Sequence, residues 1–256
     1  PITKHNYLVT DIEDLVDTLR EAFYIAQSGR KGPVLVDIAK DVQNAQTEFI
    51  WEDTPVKLPG HRPDLSPDQT TFKRASKLIN NAKRPVILAG HGVIASNATE
   101  ELLKFVEHTN IPVSMTLLGL GGFPASHPLN LGMMGMHGES WVNTAIQEAD
   151  LLLAFGMRFD DRVTGNLATY APNAKKIHVE IDPTEIDKNV TVDVPMLGDL
   201  RTILKQLLTH IAKNNHNAWL DKIDLNKGNS SVSDIKHMPD MGHLYAAHVI
   251  HDIWRF

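Results

Sequence analysis

The sequence predicts a doubly wound α/β domain, a parallel sheet with helices on both faces, flanked by partial segments of neighbouring α/β domains. Three observations predict it. Strand-length apolar runs alternate with helix-period patterns from residue 66 to residue 213, joined by short connections. Several runs, above all Leu151-Leu152-Leu153-Ala154-Phe155, are apolar without alternation, as a strand buried on both faces requires. The runs end in glycines or small polar clusters, and in open α/β sheets ligands sit beyond the carboxyl ends of the strands.

Taken in order, residues 11–27 read as a helix with Ile12, Leu15, Val16, Leu19, Phe23 and Ala26 on one face. Asp11 serves as its N-cap and Gly29 as its stop. Residues 33–38 read as a buried strand. Between residues 41 and 67 the pattern dissolves into polar sequence holding Pro55, Pro59, Gly60, Pro63 and Pro67, which is a linker. A helix over 66–81, with Phe72, Ala75, Leu78 and Ile79 inward, precedes a strand over 85–89 that ends at Gly90-His91-Gly92. A helix over 97–108 leads to a strand over 112–117, which enters Leu118-Gly119-Leu120-Gly121-Gly122. A helix over 138–149, with Trp141, Val142, Ala145, Ile146 and Ala149 on one face, feeds the strand 151–155. Next come a strand over 176–181, closed by Asp182-Pro183 with a short helix around Glu185, and a strand over 192–197 reaching Gly198-Asp199. A helix over 200–213 places Leu200, Ile203, Leu204, Leu207, Leu208 and Ile211 on one side. Residues 214–242, with Gly228-Asn229-Ser230-Ser231, read as a second linker. The start at Pro1, and an apolar helix face (Tyr245, Ala246, Val249, Ile250, Ile253) running out at Phe256, predict a piece excised from a longer protein.

Composition narrows the function classes. With 42% hydrophobic and 22% charged residues the chain has the material for a real core. A net charge of −6 argues against a nucleic-acid surface. No apolar run approaches membrane-spanning length. The absence of cysteine excludes disulfides, thiolate metal ligands and a cysteine nucleophile. No secretory signal is visible, which predicts an intracellular, cytoplasmic protein.

The strand ends carry the chemistry. They read Gly90-His91-Gly92, Thr116-Leu117-Leu118-Gly119, Gly156-Met157-Arg158, Glu180-Ile181-Asp182 with Glu185, and Gly198-Asp199. Glycines there admit a pyrophosphate against backbone N–H groups, arginines meet phosphate or ribose oxygens, and acids suit ribose hydroxyls. Each signal alone has a plainer reading. Gly90-x-Gly92 lacks the third glycine of a dinucleotide fingerprint and reads as a turn. Asp182 before Pro183 reads as a helix cap, His137 as structural, and Arg158 to Arg162 as a surface turn with local salt bridges. Spread across one sheet edge, the set predicts a dinucleotide site. No metal-binding spacing, nucleophile elbow or Walker loop accompanies it, and the histidines His243, His248 and His251 sit on the terminal helix. The residues alone therefore predict binding without a visible reacting centre. A free-standing NAD- or ADP-binding regulatory module stays open on that reading.

Four segments together resemble the acetolactate synthase family, the large catalytic subunits of acetohydroxyacid synthase. They are Thr3-Lys4-His5-Asn6-Tyr7-Leu8-Val9, Ser28-Gly29-Arg30-Lys31-Gly32-Pro33-Val34-Leu35-Val36-Asp37, Gly135-Met136-His137-Gly138 and Gly156-Met157-Arg158-Phe159-Asp160-Asp161-Arg162-Val163-Thr164-Gly165. The Arg-Phe-Asp-Asp-Arg run points to the FAD-containing biosynthetic branch. Another thiamine-diphosphate carboligase, such as glyoxylate carboligase, should lack that run.

The resemblance implies a Rossmann-like central domain within a three-domain enzyme. Residues 1–43 would close a thiamine-pyrimidine-binding domain, 44–65 a linker, 66–213 the FAD-binding domain, 214–242 a linker, and 243–256 the start of a thiamine-diphosphate-binding domain. The implied reaction decarboxylates pyruvate on thiamine diphosphate with Mg²⁺ and condenses the hydroxyethyl unit with a second 2-ketoacid. The product is acetolactate or acetohydroxybutyrate, for branched-chain amino acids. The resemblance also implies a chiefly structural FAD, homodimers or tetramers of full-length chains with a possible small regulatory subunit, and a location in the cytoplasm, or the plastid in a plant. Carried over, FAD contacts fall on Arg30, Gly90, Gly92, Thr116, Leu117, Gly135, Met136 and His137. Further contacts fall on Gly156, Arg158, Asp160, Arg162, Val163, Glu180, Ile181, Asp182, Glu185, Gly198 and Asp199, with Lys40, Asp161 and Arg162 on the substrate channel. His91 stands where many members have glycine, and Glu180 where aspartate is common. The family's catalytic glutamate and metal-binding motif fall outside these 256 residues, so the resemblance implies no catalytic residue here and no acetolactate synthesis by the piece alone.

Overall fold

A computed structural model describes residues 2–51, 53–227 and 238–255. Six parallel strands form the main sheet in the order β5-β4-β3-β6-β7-β8: β3 (Pro85–Ala89), β4 (Val113–Met115), β5 (Asn130–Met133), β6 (Leu151–Phe155), β7 (Lys175–Glu180) and β8 (Val194–Leu197). The chain runs outward from β3 through β4 to β5, crosses back over β3 to β6, and continues outward to β8. The strand order reverses between β3 and β6, and that topological switch point is where dinucleotides bind in sheets of this order.

Both faces of the sheet are covered, which is why its central strands are apolar throughout. Ile87, Leu153, Phe155 and Ile177 point into one core with Phe72, Ile79, Phe105, Ile203 and Leu207. Those partners come from helices α3 (Gln69–Asn81), α5 (Thr99–Thr109) and α8 (Leu200–Leu208). Val86, Leu88, Leu152 and Ala154 point the other way, into a second core with Trp141, Val142 and Ile146 of α6 (Ser140–Glu148). Alternation within one apolar run thus feeds two cores. The helices start at side-chain caps: Asp68 accepts from the Thr71 amide at 2.7 Å, and Asp199 from the Thr202 amide at 2.9 Å. At the other end of α5, Asn110 takes the left-handed conformation that stops the helix.

Ahead of this sheet, β1 (His5–Val9) and β2 (Val34–Ile38) pair in parallel around α1 (Leu15–Gln27), with a short α2 (Lys40–Asn44) following. Asp11 caps the 3-10 turn that opens α1, accepting from the Glu13 amide. Residues 53–68 carry no helix or strand.

Several elements differ from the sequence expectation. β1 was not expected, and its five residues show only a weak pattern. The strand over 112–117 shortens to β4, because Thr116 caps a 3-10 turn at Leu117–Gly119. α4 (His91–Ala95) replaces an open glycine turn, and the edge strand β5 is interrupted by Gly132 and a register shift. The largest difference lies in residues 214–242, expected to be a linker. Residues Asn217–Lys227 form α9, which packs on α6 and buries Trp219 and Ile223 in the second core. Two buried side chains one turn apart seat it despite its polar composition. The glycine-serine run at 228–231 lies outside the described residues. A terminal helix, α10 (Ala246–Arg255), follows.

Candidate functional site

The predicted site residues come largely to the carboxyl edge of the main sheet, but several of the glycines have a structural reason of their own. Gly90 leaves β3 and its amide bonds to the Phe155 carbonyl at 3.0 Å; the Gly92 amide bonds to the Gly156 carbonyl at 2.9 Å. A Cβ on Gly92 would stand 2.5 Å from the Gly156 Cα, and one on Gly90 would stand 2.3 Å from the Gly156 carbonyl oxygen. The exits of β3 and β6 therefore pass backbone against backbone at the switch point, and Gly156 takes a positive φ of 57° to allow it. Here it is the Gly92 backbone that approaches Gly156.

Around this crossing the other strand ends form a rim. The Thr116 hydroxyl accepts from the Gly119 amide, holding a turn that leaves Leu117 and Leu118 about two-thirds exposed, at 68% and 67%. Beyond β5 the loop at Gly135 is clamped by the Asn143 side-chain amide, which both donates to and accepts from the Gly135 backbone at 2.9 Å. The Met136 amide bonds to the Arg162 carbonyl, so this loop docks on the short helix α7 (Asp161–Thr164) with Met136 and His137 exposed. Asp160 caps α7 through the Arg162 amide and lies 3.7 Å from the half-exposed Arg158 guanidinium. Val163 is half-buried beneath the Gly135 loop, while Asp161 and Arg162 pair loosely at 3.9 Å in solvent.

Past β7 the acids gather. The buried Glu180 carboxylate accepts from the amides of Ile181 at 2.9 Å and Asp182 at 3.3 Å. Asp182 caps the following turn through Thr184 and, with Glu185, binds Arg30 at 3.0 and 3.1 Å. Arg30 sits between α1 and β2, so this ion pair links the two sheets. Burial raises the Asp182 carboxyl, but bonds from Thr184 and Arg30 outweigh it and leave the group below its ordinary range. Burial dominates at Glu180 and raises it, against the two amide bonds.

That shift has a testable consequence. A carboxyl raised in the folded state opposes folding above its folded value, and the opposition disappears as acid protonates it towards the unfolded value. Glu180→Gln keeps an oxygen for both amides and removes the charge. It is expected to raise the urea midpoint at pH 7 and to change it less below about pH 4. An equal change at both pH values would contradict the burial argument.

Gly198 and Asp199 lie at the far end of the rim and are engaged structurally. A Cβ on Gly198 would meet the Leu65 carbonyl at 2.4 Å, and Asp199 caps α8. Lys40 opens α2 as an exposed residue, and among the described residues Asp161 pairs with Arg162 rather than with it. Sequence reasoning missed His178, a fully buried polar residue inside β7. In the sequence it stands between the two β-branched residues Ile177 and Val179, with lysines before and a glutamate after, so only burial of the strand marks it out.

Comparison with known proteins fits this arrangement. The family model described as the central domain of thiamine pyrophosphate enzymes matches residues 72–207. The acetolactate synthase large subunit of Corynebacterium glutamicum is 53% identical over 208 residues, covering 81% of this chain and 33% of the relative. Acetolactate synthase 2, chloroplastic, of Zea mays is 46% identical over 234 residues, covering 88% of this chain and 36% of the relative. The chain thus spans about a third of the length of these relatives. A solved structure from Mycobacterium smegmatis, described as a thiamin diphosphate-dependent enzyme, superposes with a TM-score of 0.67 at 23% identity. It covers 84% of this chain and 40% of that one, and shows the shared fold.

Proposed function

The chain belongs to the thiamine pyrophosphate enzyme family through its central domain, and on that premise we propose that it is the FAD-binding part of an acetolactate synthase catalytic subunit. The observation that supports this most is the rim of strand ends at the switch point. It offers exposed apolar Leu117, Leu118 and Met136 for a flat ring system, cationic Arg158 and Arg162 for phosphates, and the part-exposed Asp182 carboxylate for a ribose hydroxyl, with the buried Glu185 bracing Arg30 behind it. That donor set suits FAD, an extended molecule with an apolar end, a diphosphate and a ribose. When bound, FAD supplies a brace, because joining two ketoacids with loss of carbon dioxide involves no net redox change.

In the whole enzyme we place decarboxylation of pyruvate and condensation with a second 2-ketoacid on thiamine diphosphate and Mg²⁺. Among the described residues no group of three or more side chains is arranged to hold a metal ion, and we assign those cofactors to residues outside this chain. Lys40, Asp161 and Arg162 are proposed to line the path to that centre, and Gly198 and Asp199 to close the adenosine end. The domain division at 43, 65 and 242 is proposed likewise, while the boundary expected at 213 moves to the end of α9 at Lys227, whose Trp219 and Ile223 pack in the second core. Full-length chains would associate as dimers or tetramers, with a small regulatory subunit as a further partner. No helix of the described residues is long and apolar enough to cross a membrane, which is compatible with a cytoplasmic or plastid location.

The test is to purify the chain and assay it. Heat-released flavin fluorescence is expected from the purified protein. With FAD, thiamine diphosphate, Mg²⁺ and pyruvate, no acetolactate is expected until the rest of the catalytic subunit is supplied. Turnover by this chain alone would overturn the assignment of the catalytic groups.

A further inference from the structure

One buried side chain joins two of the strand-end turns. His178 is fully buried in β7, and its Nε2 lies 2.9 Å from the Met157 carbonyl oxygen. A carbonyl only accepts, so Nε2 carries the proton and donates it. Nδ1 is then bare, and it is a buried atom without a hydrogen-bond partner. Leaving a buried polar atom unsatisfied costs stability, so packing alone does not favour histidine here over leucine. The ring is held in plane by the edge of Phe159, with centroids 5.1 Å apart. The same Nε2 stands 3.9 Å from Glu180 Oε2, while the other Glu180 oxygen accepts the Ile181 and Asp182 amides. His178 therefore contacts the turn that presents Arg158 and stands beside the turn that presents Asp182.

We propose that His178 is a positioning residue for the nucleotide ligand. It fixes the turn at residues 156–158 against the turn at residues 180–182, so that Arg158 and Asp182 address one extended dinucleotide. This rests on the flavin reading above and adds a residue that does not itself touch the ligand. The geometry requires the Nε2–H tautomer, and long-range proton–nitrogen spectra of the chain should place the proton there; a proton on Nδ1 would overturn the proposal.

The decisive experiment titrates FAD into the unmutated chain, His178→Leu and His178→Gln, each well below its melting temperature. Glutamine carries an amide donor of similar reach and is expected to bind within about threefold of the unmutated chain. Leucine keeps the volume but loses the donor, and is expected to bind about tenfold more weakly, the worth of one buried hydrogen bond. Leucine binding as tightly as histidine would overturn the proposal, since a merely structural role would lower the melting temperature and leave affinity unchanged. Should His178→Leu fail to fold, His178→Asn, too short to reach Met157, takes its place with the same two outcomes. If the unmutated chain binds no FAD, the flavin reading falls and this inference with it. If it binds and the leucine variant matches it, only the inference falls.

Discussion

Gly156→Ala is expected to destabilise the chain by about 3 kcal/mol or more, among the largest effects of any single methyl group in this fold. The added Cβ would lie 2.5 Å from the Gly92 Cα, with further backbone atoms of Gly92 at 2.9 and 3.1 Å. None of those atoms is a flexible side-chain end, so the two strand exits would have to separate. The positive φ of 57° adds a second cost of about 1–2 kcal/mol for a residue with a Cβ. Gly132→Ala separates the two terms: its φ is also positive, at 94°, but nothing lies within 4 Å of the added atom. Urea unfolding should give Gly132→Ala a loss of only about 1–2 kcal/mol. Equal losses at the two sites would show that the β3–β6 crossing is not as tight as described.

Trp219→Ala should cost about 3–5 kcal/mol, the range for removing a buried large aromatic side chain. The indole is 3% exposed, packs in the second core, and donates from Nε1 to the Pro85 carbonyl at 3.2 Å. It ties α9 to the first residue of β3. On the same helix Leu225 is 82% exposed, and its replacement by alanine should fall within about 0.5 kcal/mol of zero. A small effect at Trp219 would return residues 217–227 to the status of a linker.

Buried central strands were the most legible part of the fold. Residues 85–89 and 151–155 form strands with the bounds read from sequence, because a strand covered on both faces leaves an unbroken apolar run. Edge and end elements were harder. β5 holds only four residues around Gly132, and α9 turns Trp219 and Ile223 to the second core and Leu220 to the first among charged neighbours, so neither carries a clean one-face period. The candidate site was legible as a collection of strand ends, since parallel topology brings such ends to one edge. Its internal contacts were not. Arg30 meets Asp182 and Glu185 across more than 150 positions, and the reason for glycine at 90, 92 and 156 appears only when two distant strand exits touch. His178 went unnoticed because its role depends on a carbonyl 21 residues away.

Titration of the purified chain tests the proposed flavin site at the strand-end rim. Fluorescence titration with FAD, and calorimetry with NAD and ADP under the same conditions, should show saturable one-site binding of FAD and markedly weaker binding of NAD and ADP. In the proposed site the exposed apolar side chains of Leu117, Leu118 and Met136 are there to meet the fused flavin rings, which ADP lacks and NAD replaces with a single smaller ring. NAD or ADP binding as tightly as FAD, or no FAD binding at all, would rule out a flavin site at this rim.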